Sequence, residues 1–360
     1  MAALAIVVTA AVTGTPTPAA ADSARDQQWH LAYLHVADAQ KISQGEGVVV
    51  GVADSGVDAS APELTSAVLP GNEFGRSGEG RVDTDGHGTA MAGLIAGRGK
   101  GHDDGVLGIA PKASILPLRV SRAPEFGGDP ANLAAGIEWA TAQGAKVICI
   151  ALDVSQNPAM RAALEKALAA DVVIVAAAGN LPGTKTVAYP ARMPGVLAVG
   201  GIDQQGHHAE ISTTGPEVAI TAPAVDIVSL DFGARYRKGT GTSDAAAIVA
   251  GAAALVRAKY PQLSAQEVIR RLTYTAQDAG APGRDPEYGY GILDLVKALT
   301  AEVPPASPSA APEASPSAGP GKDAGGDRSV AVIAAIGAAV VVVVFISVLQ
   351  SIIRGRRQRR

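Results

Sequence analysis

Residues 146–180 read KVICIALDVSQNPAMRAALEKALAADVVIVAAAGN and contain two short apolar runs on either side of a helical segment. The runs, Lys146–Leu152 and Val172–Ala177, are rich in β-branched residues, which favour buried strands. Between them Asn157 and Pro158 indicate a helix start, because asparagine caps free N–H groups and proline is tolerated in the first turn. This strand–helix–strand order predicts two parallel strands joined by a helical crossover.

The same alternation continues on both sides of this segment. Val48–Ala53 (VVVGVA) and Ile115–Val120 are predicted as further buried strands, and Asp129 followed by proline indicates another helix start. Residues 243–256 (SDAAAIVAGAAALV) are apolar all round after their first two positions, which is typical of a helix buried in a core. We therefore predict an α/β fold with a mostly parallel sheet and helices on both faces.

Composition limits the classes of partner and cofactor. The 360 residues carry a net charge of -4, so no basic excess indicates a nucleic-acid partner. Cys149 is the single cysteine, which rules out an intramolecular disulfide. It lies mid-strand among apolar neighbours, and we interpret it as inert core. No cofactor and no metal ion is predicted.

Residues 1–21 are predicted to be a secretory signal peptide. Residues 4–12 (LAIVVTAAV) form an apolar run too short to span a bilayer, and small residues suited to cleavage after Ala21 follow. No Lys or Arg precedes the run, which departs from the usual pattern and leaves an ordinary apolar tail as the alternative.

The C-terminal part predicts a membrane anchor. Residues 330–353 (VAVIAAIGAAVVVVVFISVLQSII) carry no charge and would form a helix of about 36 Å, enough to cross about 30 Å of hydrocarbon. The arginine-rich tail 354–360 should be cytoplasmic by the positive-inside rule, and its position directly after the run disfavours a buried core helix. Residues 301–329 are rich in Pro, Ala and Ser and predict an extended linker. The folded domain is then 22–300, outside the membrane.

Four polar residues stand where chemistry is expected in such a fold, since sites in open α/β sheets collect beyond the carboxyl ends of the strands. Asp54 follows the first strand, Asn180 follows the strand VVIVAAAGN, and His87 lies in TDGHGTAMAGLIAG. Ser243 lies in KGTGTSDAAAIVAG at the start of the buried helix. Serine, histidine and aspartate in contact make a hydrolytic nucleophile, and the amide of Asn180 can donate to an oxyanion.

These segments, in the order Asp, His, Ser, resemble the subtilase family of serine proteases over nearly all of residues 30–300. The resemblance implies a subtilisin-like fold in which Asp54 orients the histidine, His87 is general base and acid, and Ser243 is the nucleophile. It implies that Asn180 is the oxyanion donor and that peptides bind along Ala151, Leu152, Asp153, Ala178, Gly179 and Ala188.

The two ends of the chain indicate which branch of the subtilase family it resembles. The segment WHLAYLHVADAQKISQGEGVVVGVADSG resembles the start of a mature subtilase domain and leaves no room for a separate inhibitory prodomain after the signal peptide. With the linker and the helix 330–353, this is similar to the mycosins, membrane-anchored subtilases of actinobacterial type VII secretion systems. That similarity implies a single-pass protein of the cell membrane that cleaves secreted proteins and stabilises a secretion complex. Mycobacterial mycosins carry paired cysteines, which this chain lacks.

Several positions depart from the family pattern. Asp244 and Ala247 replace the apolar residue and the proline that usually follow the serine, and Asp244 could either slow attack or cap the helix. Asp153 replaces a glycine and could either narrow the cleft or recruit a basic side chain. Ala188 replaces a glycine at the pocket floor, which predicts a preference for a small residue before the scissile bond.

Two functions remain open at the level of sequence. The first is an active endopeptidase that works through an acyl-enzyme on proteins emerging near the membrane. The second is a catalytically weak or inactive structural subunit of a secretion complex. The presence of all four site residues favours the first, and the altered cleft residues keep the second open. A general nutritional protease is disfavoured, since a membrane anchor would keep it from bulk substrate.

Overall fold

The computed structural model describes residues 23–101, 104–122 and 127–305. The predicted signal peptide 1–21, the membrane helix 330–353, the tail 354–360 and most of the linker lie outside the described residues. Within the described ranges, no helix has the length and apolar character needed to cross a bilayer.

The strands and helices alternate along the chain. The strands are β1 Val49–Asp54, β2 Asn72–Glu73, β3 Arg98–Lys100, β4 Asp104–Leu107, β5 Ser114–Arg119, β6 Val147–Ile150, β7 Val173–Ala177, β8 Leu197–Ile202, β9 Ile220–Pro223, β10 Ile227–Asp231 and β11 Arg235–Gly239. The helices are α1 Trp29–Tyr33, α2 Val36–Ile42, α3 His87–Ala96, α4 Pro130–Ala142, α5 Pro158–Ala169, α6 Thr242–Lys259, α7 Ala265–Tyr274 and α8 Leu295–Thr300, with a 3₁₀ turn at Pro62–Leu64.

Seven strands form one sheet in the order β2-β5-β1-β6-β7-β8-β9. Every neighbouring pair in this sheet is parallel, which confirms the predicted α/β fold. The segment 146–180 forms β6, α5 and β7, and its two strands are direct neighbours with Val147 opposite Val173. Two short antiparallel hairpins, β3–β4 and β10–β11, lie outside the sheet.

Helices cover both faces of the sheet, as expected. Along β6, Val147 and Cys149 belong to the core cluster that contains α3 and α6, whereas Ile148 and Ile150 belong to the cluster that contains α4 and α5. This alternation follows from the two-residue period of a strand, which sends successive side chains to opposite faces. Cys149 is fully buried, in agreement with its interpretation as core.

The predicted helix starts are confirmed at the level of single hydrogen bonds. The Asn157 side chain accepts from the backbone N–H of Met160 at 2.7 Å, and the Asp129 side chain accepts from the N–H of Ala131 at 2.7 Å. Each cap satisfies an N–H group that has no partner within its helix.

Element ends differ from the prediction by a few residues. β1 runs from Val49 to Asp54 instead of 48–53, because Asp54 still pairs in register with Arg119 of β5. α6 runs from Thr242 to Lys259, beyond the predicted 243–256, and every residue from Thr242 to Arg257 is buried. A strand end thus carries the Asp54 carboxyl group, and a buried helix begins one residue before Ser243.

Both ends of the described chain are held on the domain. Near the N terminus, the Trp29 indole donates to the carbonyl of Val225 at 3.0 Å, and the Ser43 hydroxyl donates to the carbonyl of Leu255 at 2.9 Å. At the other end, Nη1 of Arg271 donates to the carbonyls of Ala298 at 2.9 Å and Ala301 at 3.0 Å. α8 packs against α2 and α6, so the two ends of the domain share one cluster of helices.

Candidate active site

A buried carboxylate and an imidazole form the most tightly defined contact of the site. Asp54 is fully buried at the end of β1, and His87 is the first residue of α3. Nδ1 of His87 lies 2.9 Å from both Oδ1 and Oδ2 of Asp54. The N–H of Ser55 also donates to Oδ1 of Asp54, at 2.7 Å. An Nδ1–H donated to Asp54 leaves Nε2 of His87 as the proton acceptor.

The loop before α3 fixes the position of His87. The carboxylate of Asp83 accepts from the N–H of Gly86 at 3.0 Å and from the hydroxyl of Thr89 at 2.6 Å. A Cβ on Gly88 would lie 2.1 Å from the carbonyl oxygen of Gly56, so only glycine allows this approach of α3 to the end of β1. The glycine that follows His87 therefore permits the close approach that places the imidazole beside Asp54.

Ser243 is the second residue of α6 and is 9% exposed. A Cβ on Gly241 would lie 3.2 Å from both the Ser243 hydroxyl oxygen and Nδ2 of Asn180. Glycine therefore leaves open the space toward which these two groups converge. The first turn of α6 also presents backbone N–H groups that have no partner within the helix, together with the positive end of its dipole.

Asn180 is oriented by the residue before the serine. Its Oδ1 accepts from the backbone N–H of Thr242 at 2.9 Å and from the Thr242 hydroxyl at 3.0 Å. The Thr242 hydroxyl in turn accepts from the N–H of Gly179 at 3.1 Å. With the oxygen held by two donors, the amide nitrogen is left to donate near Ser243, as an oxyanion donor must.

One cleft of about 520 Å³ brings most of the sequence-predicted residues together. The predicted residues that line it are His87, Ala151, Leu152, Asp153, Gly179, Asn180, Ala188 and Ser243. Asp54 lies behind His87, in hydrogen-bond contact with it. A Cβ on Gly179 would lie 3.3 Å from Cβ of Ala188, so the Ala188 methyl group narrows the pocket beside Gly179.

Ala178 does not line the cleft. It is fully buried in the cluster that contains α4 and α5, and its backbone pairs with Val199 and Ala188. The neighbouring Ala177 lines the cleft instead, together with Gly179. The alternation of an extended chain explains the difference, because it turns residue 178 away from the side that 177 and 179 face.

Sequence reasoning missed several residues of the site. These are Asp85, Gly127, Ala177, Gly183, Thr184, Arg237, Thr240 and Thr242. Asp85 accepts from the backbone N–H of His87 at 3.1 Å, and its place two residues before the histidine was the available signal. Arg237 carried no such signal, because the β10–β11 hairpin brings it to the cleft from outside the main sheet.

Asp244 is a buried carboxylate on the wall of the cleft. The N-cap of α6 is Gly241, so Asp244 is not the capping residue; it lies within the first turn, where a negative charge complements the helix dipole. Burial raises the pKa of Asp244 to about 6, although His87, Arg237 and its own backbone N–H each act to lower this pKa. The buried carboxylate of Asp244 is therefore harder to charge than that of an exposed aspartate.

The carboxylates around His87 favour its charged form. Burial acts to lower the pKa of His87, but the charge and hydrogen bond of Asp54 and the charge of Asp244 act to raise it. Arg237 opposes them, and the net effect is a raised pKa. This environment stabilises the imidazolium that would form when His87 accepts a proton.

Residues 45–291 match the model of the subtilase family, Peptidase_S8. Mycosin-1 of Mycobacterium tuberculosis is 37% identical over 349 residues, covering 81% of this chain and 77% of mycosin-1. Subtilisin DY of Bacillus licheniformis is 38% identical over 259 residues, covering 71% of this chain and 92% of that protein.

Solved structures agree with these matches. A crystal structure of MycP1 from Mycobacterium smegmatis has a TM-score of 0.69 at 32% identity, covering 81% of this chain and 89% of that chain. The structure of MycP3 protease from the type VII (ESX-3) secretion system has a TM-score of 0.66 at 35% identity, covering 76% and 88%. The similarity spans both the sequence and the fold of the described domain.

The charge balance around His87 gives a testable prediction. Replacing Asp244 with asparagine removes a negative charge that stabilises the imidazolium, so the pKa of His87 should fall. We would follow the imidazole by NMR titration in a Ser243→Ala background and assign its signal by its loss in His87→Ala. Asp153→Asn, which removes a cleft carboxylate that does not act on His87, should leave this pKa unchanged. A His87 pKa that stays constant or rises in Asp244→Asn would contradict the assignment.

Proposed function

The chain belongs to the subtilase family of serine proteases and is related to the mycosins, and we propose that it is an endopeptidase that works through an acyl-enzyme formed on Ser243. One observation carries the proposal. The buried Asp54–His87 pair reaches a cleft that is also lined by Ser243 and Asn180. No cofactor is needed for this chemistry, because all its proton transfers are assigned to side chains.

In the proposed first step, Nε2 of His87 takes the hydroxyl proton of Ser243 while Oγ attacks the scissile carbonyl carbon. The electron pair of the carbonyl moves onto its oxygen, which receives hydrogen bonds from Nδ2 of Asn180 and the first turn of α6. Asp54 holds the tautomer of His87 and stabilises the imidazolium. His87 then gives its proton to the departing amine, the C–N bond breaks, and water releases the acyl group by the same steps.

The acyl side of the substrate would lie along Ala151, Leu152, Asp153 and Gly179, with the side chain before the scissile bond pointing toward Ala188. Asp153 is held at the rim, where its Oδ2 accepts from the Thr184 hydroxyl at 3.3 Å. The methyl group of Ala188 occupies space that glycine would leave open. A small substrate residue is therefore favoured at this position.

We further propose that residues 330–353 anchor the enzyme in the cell membrane, with residues 22–300 outside and 354–360 in the cytoplasm. The uncharged run and the basic tail of the sequence support this orientation. Relatives named as mycosins, and one described as a protease from a type VII secretion system, support protein substrates exported by such a system and contact with its membrane complex.

A fluorophosphonate probe tests the proposed nucleophile. The wild-type protein should be labelled covalently, and Ser243→Ala should not, because only an activated serine reacts at an appreciable rate. Asn180→Ala should still fold but hydrolyse peptides about 10²–10³-fold more slowly, since it removes one oxyanion donor.

A folded wild-type protein that is never labelled would contradict the proposed activity. It would instead support the alternative function, a structural subunit of a secretion complex. Asp244 keeps this alternative open because a buried negative charge next to Ser243 could slow attack by the serine. Reverting Asp244 to an apolar residue would then show whether that carboxylate alone suppresses the serine.

Ala188→Gly tests the pocket. Wild-type enzyme should cleave a peptide with alanine before the scissile bond faster than its phenylalanine counterpart. Glycine at position 188 should shift the ratio of kcat/KM toward phenylalanine by about tenfold or more, the scale expected for one methyl group in a tight pocket. Equal cleavage of both peptides by the wild type would contradict the proposed preference for a small residue before the scissile bond.

Truncation tests the anchor. Full-length protein expressed in an actinobacterial host should remain in the membrane after carbonate washing, and a protein ending before Val330 should appear in the medium. Protease added to intact cells should degrade the domain of the full-length protein. Release of the full-length chain, or protection of its domain, would overturn the proposed anchoring or its orientation.

A further inference from the structure

We infer that Asp244 makes the cleft selective for a lysine or arginine side chain on the residue that directly follows the scissile bond. The inference rests on the proposed peptidase function and adds a charge preference to it. Asp244 stands at the position after the nucleophilic serine, where subtilases usually have an apolar residue.

The carboxylate of Asp244 is available to a ligand although it is nearly buried. The residue is 6% exposed and lines the cleft. The carboxylate is hydrogen-bonded to the backbone N–H of Asp244 itself, and within the described ranges no ion pair or hydrogen bond joins this carboxylate to another residue. A buried carboxylate without a partner is costly to charge, which is why its pKa is raised. A cation that enters the cleft would relieve this cost.

The position of Asp244 relative to His87 indicates which side of the scissile bond it faces. His87 must deliver a proton to the departing amine, so its imidazole lies beside the residue that follows the scissile bond. Asp244 follows Ser243 in the first turn of α6 and lines the same cleft as His87, and its charge acts on that imidazole. The acyl part of the substrate is proposed to lie along the opposite wall of the cleft, where Gly179 approaches Ala188. Asp244 therefore faces the leaving group.

Gly239 leaves the Asp244 carboxylate accessible from the leaving-group side of the cleft. A Cβ on Gly239 would lie 3.0 Å from Oδ2 and 3.1 Å from Oδ1 of Asp244. Any larger side chain at the end of β11 would crowd or cover the carboxylate. Glycine at position 239 therefore leaves the space beside the Asp244 carboxylate unfilled.

The charged groups around Asp244 favour the binding of one more cation. Besides His87, the positive group that acts on Asp244 is Arg237 of β11, which lines the cleft but forms no ion pair within the described ranges. Asp85 lines the same cleft before α3. Asp231, at the end of β10, is paired with Arg235 at 3.3 Å and therefore adds no net charge. Carboxylates thus outnumber the permanent cation here, so an ammonium or guanidinium group on the substrate is favoured and a carboxylate is disfavoured.

Acyl transfer measures this preference without changing the acyl side. The enzyme would be acylated with an alanyl ester, and lysine amide or norleucine amide would compete with water for the acyl group. Norleucine matches the lysine chain without its ammonium group. We expect lysine amide to be about tenfold or more better as the acceptor, because a charge pair shielded from water is strong. Glutamate amide should be the poorest acceptor.

Matched variants locate the effect. Asp244→Asn should reduce the lysine-to-norleucine ratio to about one, because it keeps the shape and removes the charge. Asp244→Lys should favour glutamate amide, which keeps the test informative if the asparagine variant folds poorly. Asp153→Asn removes a carboxylate on the other wall and should leave the ratio unchanged.

The outcomes distinguish the role of Asp244 from the proposed peptidase function. Acyl transfer with equal use of lysine and norleucine amides would overturn the role of Asp244 while the peptidase assignment stands. A ratio that persists in Asp244→Asn and falls in Asp85→Asn would assign the preference to Asp85 and also overturn it. Absence of any acyl-enzyme, together with no fluorophosphonate labelling, would overturn the proposed function and this inference with it.

Discussion

The contact between the buried Asp54 carboxylate and the His87 imidazole is the interaction on which the site depends. A carboxylate with no exposed surface needs partners, and here the His87 ring and the N–H of Ser55 supply them. Both residues stand at element ends, one closing β1 and one opening α3, and Gly88 permits the close approach. The packing of α3 against β1 fixes the distance between these ends, so the fold sets the histidine geometry before any substrate binds.

Much of this could be predicted from the sequence, because the signals were local. The β-branched runs and the caps at Asn157 and Asp129 indicated a parallel sheet with helices on both faces, and Asp54, His87, Asn180 and Ser243 each follow a strand or begin a helix. Ala178 was predicted along the cleft but its side chain is buried away from it, because the sequence of a segment does not show which of its alternating side chains faces a cleft. Arg237 was missed because the contact between its hairpin and the cleft is non-local. Asp85 was missed although it stands two residues before His87, because that spacing alone does not show which group its carboxylate bonds.

The helix α6 joins the stability of the domain to the position of its nucleophile. A helix buried from Thr242 to Arg257 cannot shift along its axis without breaking contacts with the sheet and with α3. Ser243, at the start of this helix, is therefore held as rigidly as the core. The same rigidity accounts for the unusual state of Asp244, which the helix holds away from water beside a histidine.

The hydrogen bonds of Arg271 to Ala298 and Ala301 have a mechanical meaning. They tie the end of α8 to the last turn of α7, and α8 packs there against α2 and α6. Tension applied at the C-terminal end of the described domain would first strain this cluster, which meets α6 at its C-terminal end, where the Tyr260 hydroxyl donates to the carbonyl of Leu299 at 2.6 Å. Ser243 lies at the opposite end of α6. The domain can thus bear a load at its C-terminal end without transmitting it directly to the reacting groups.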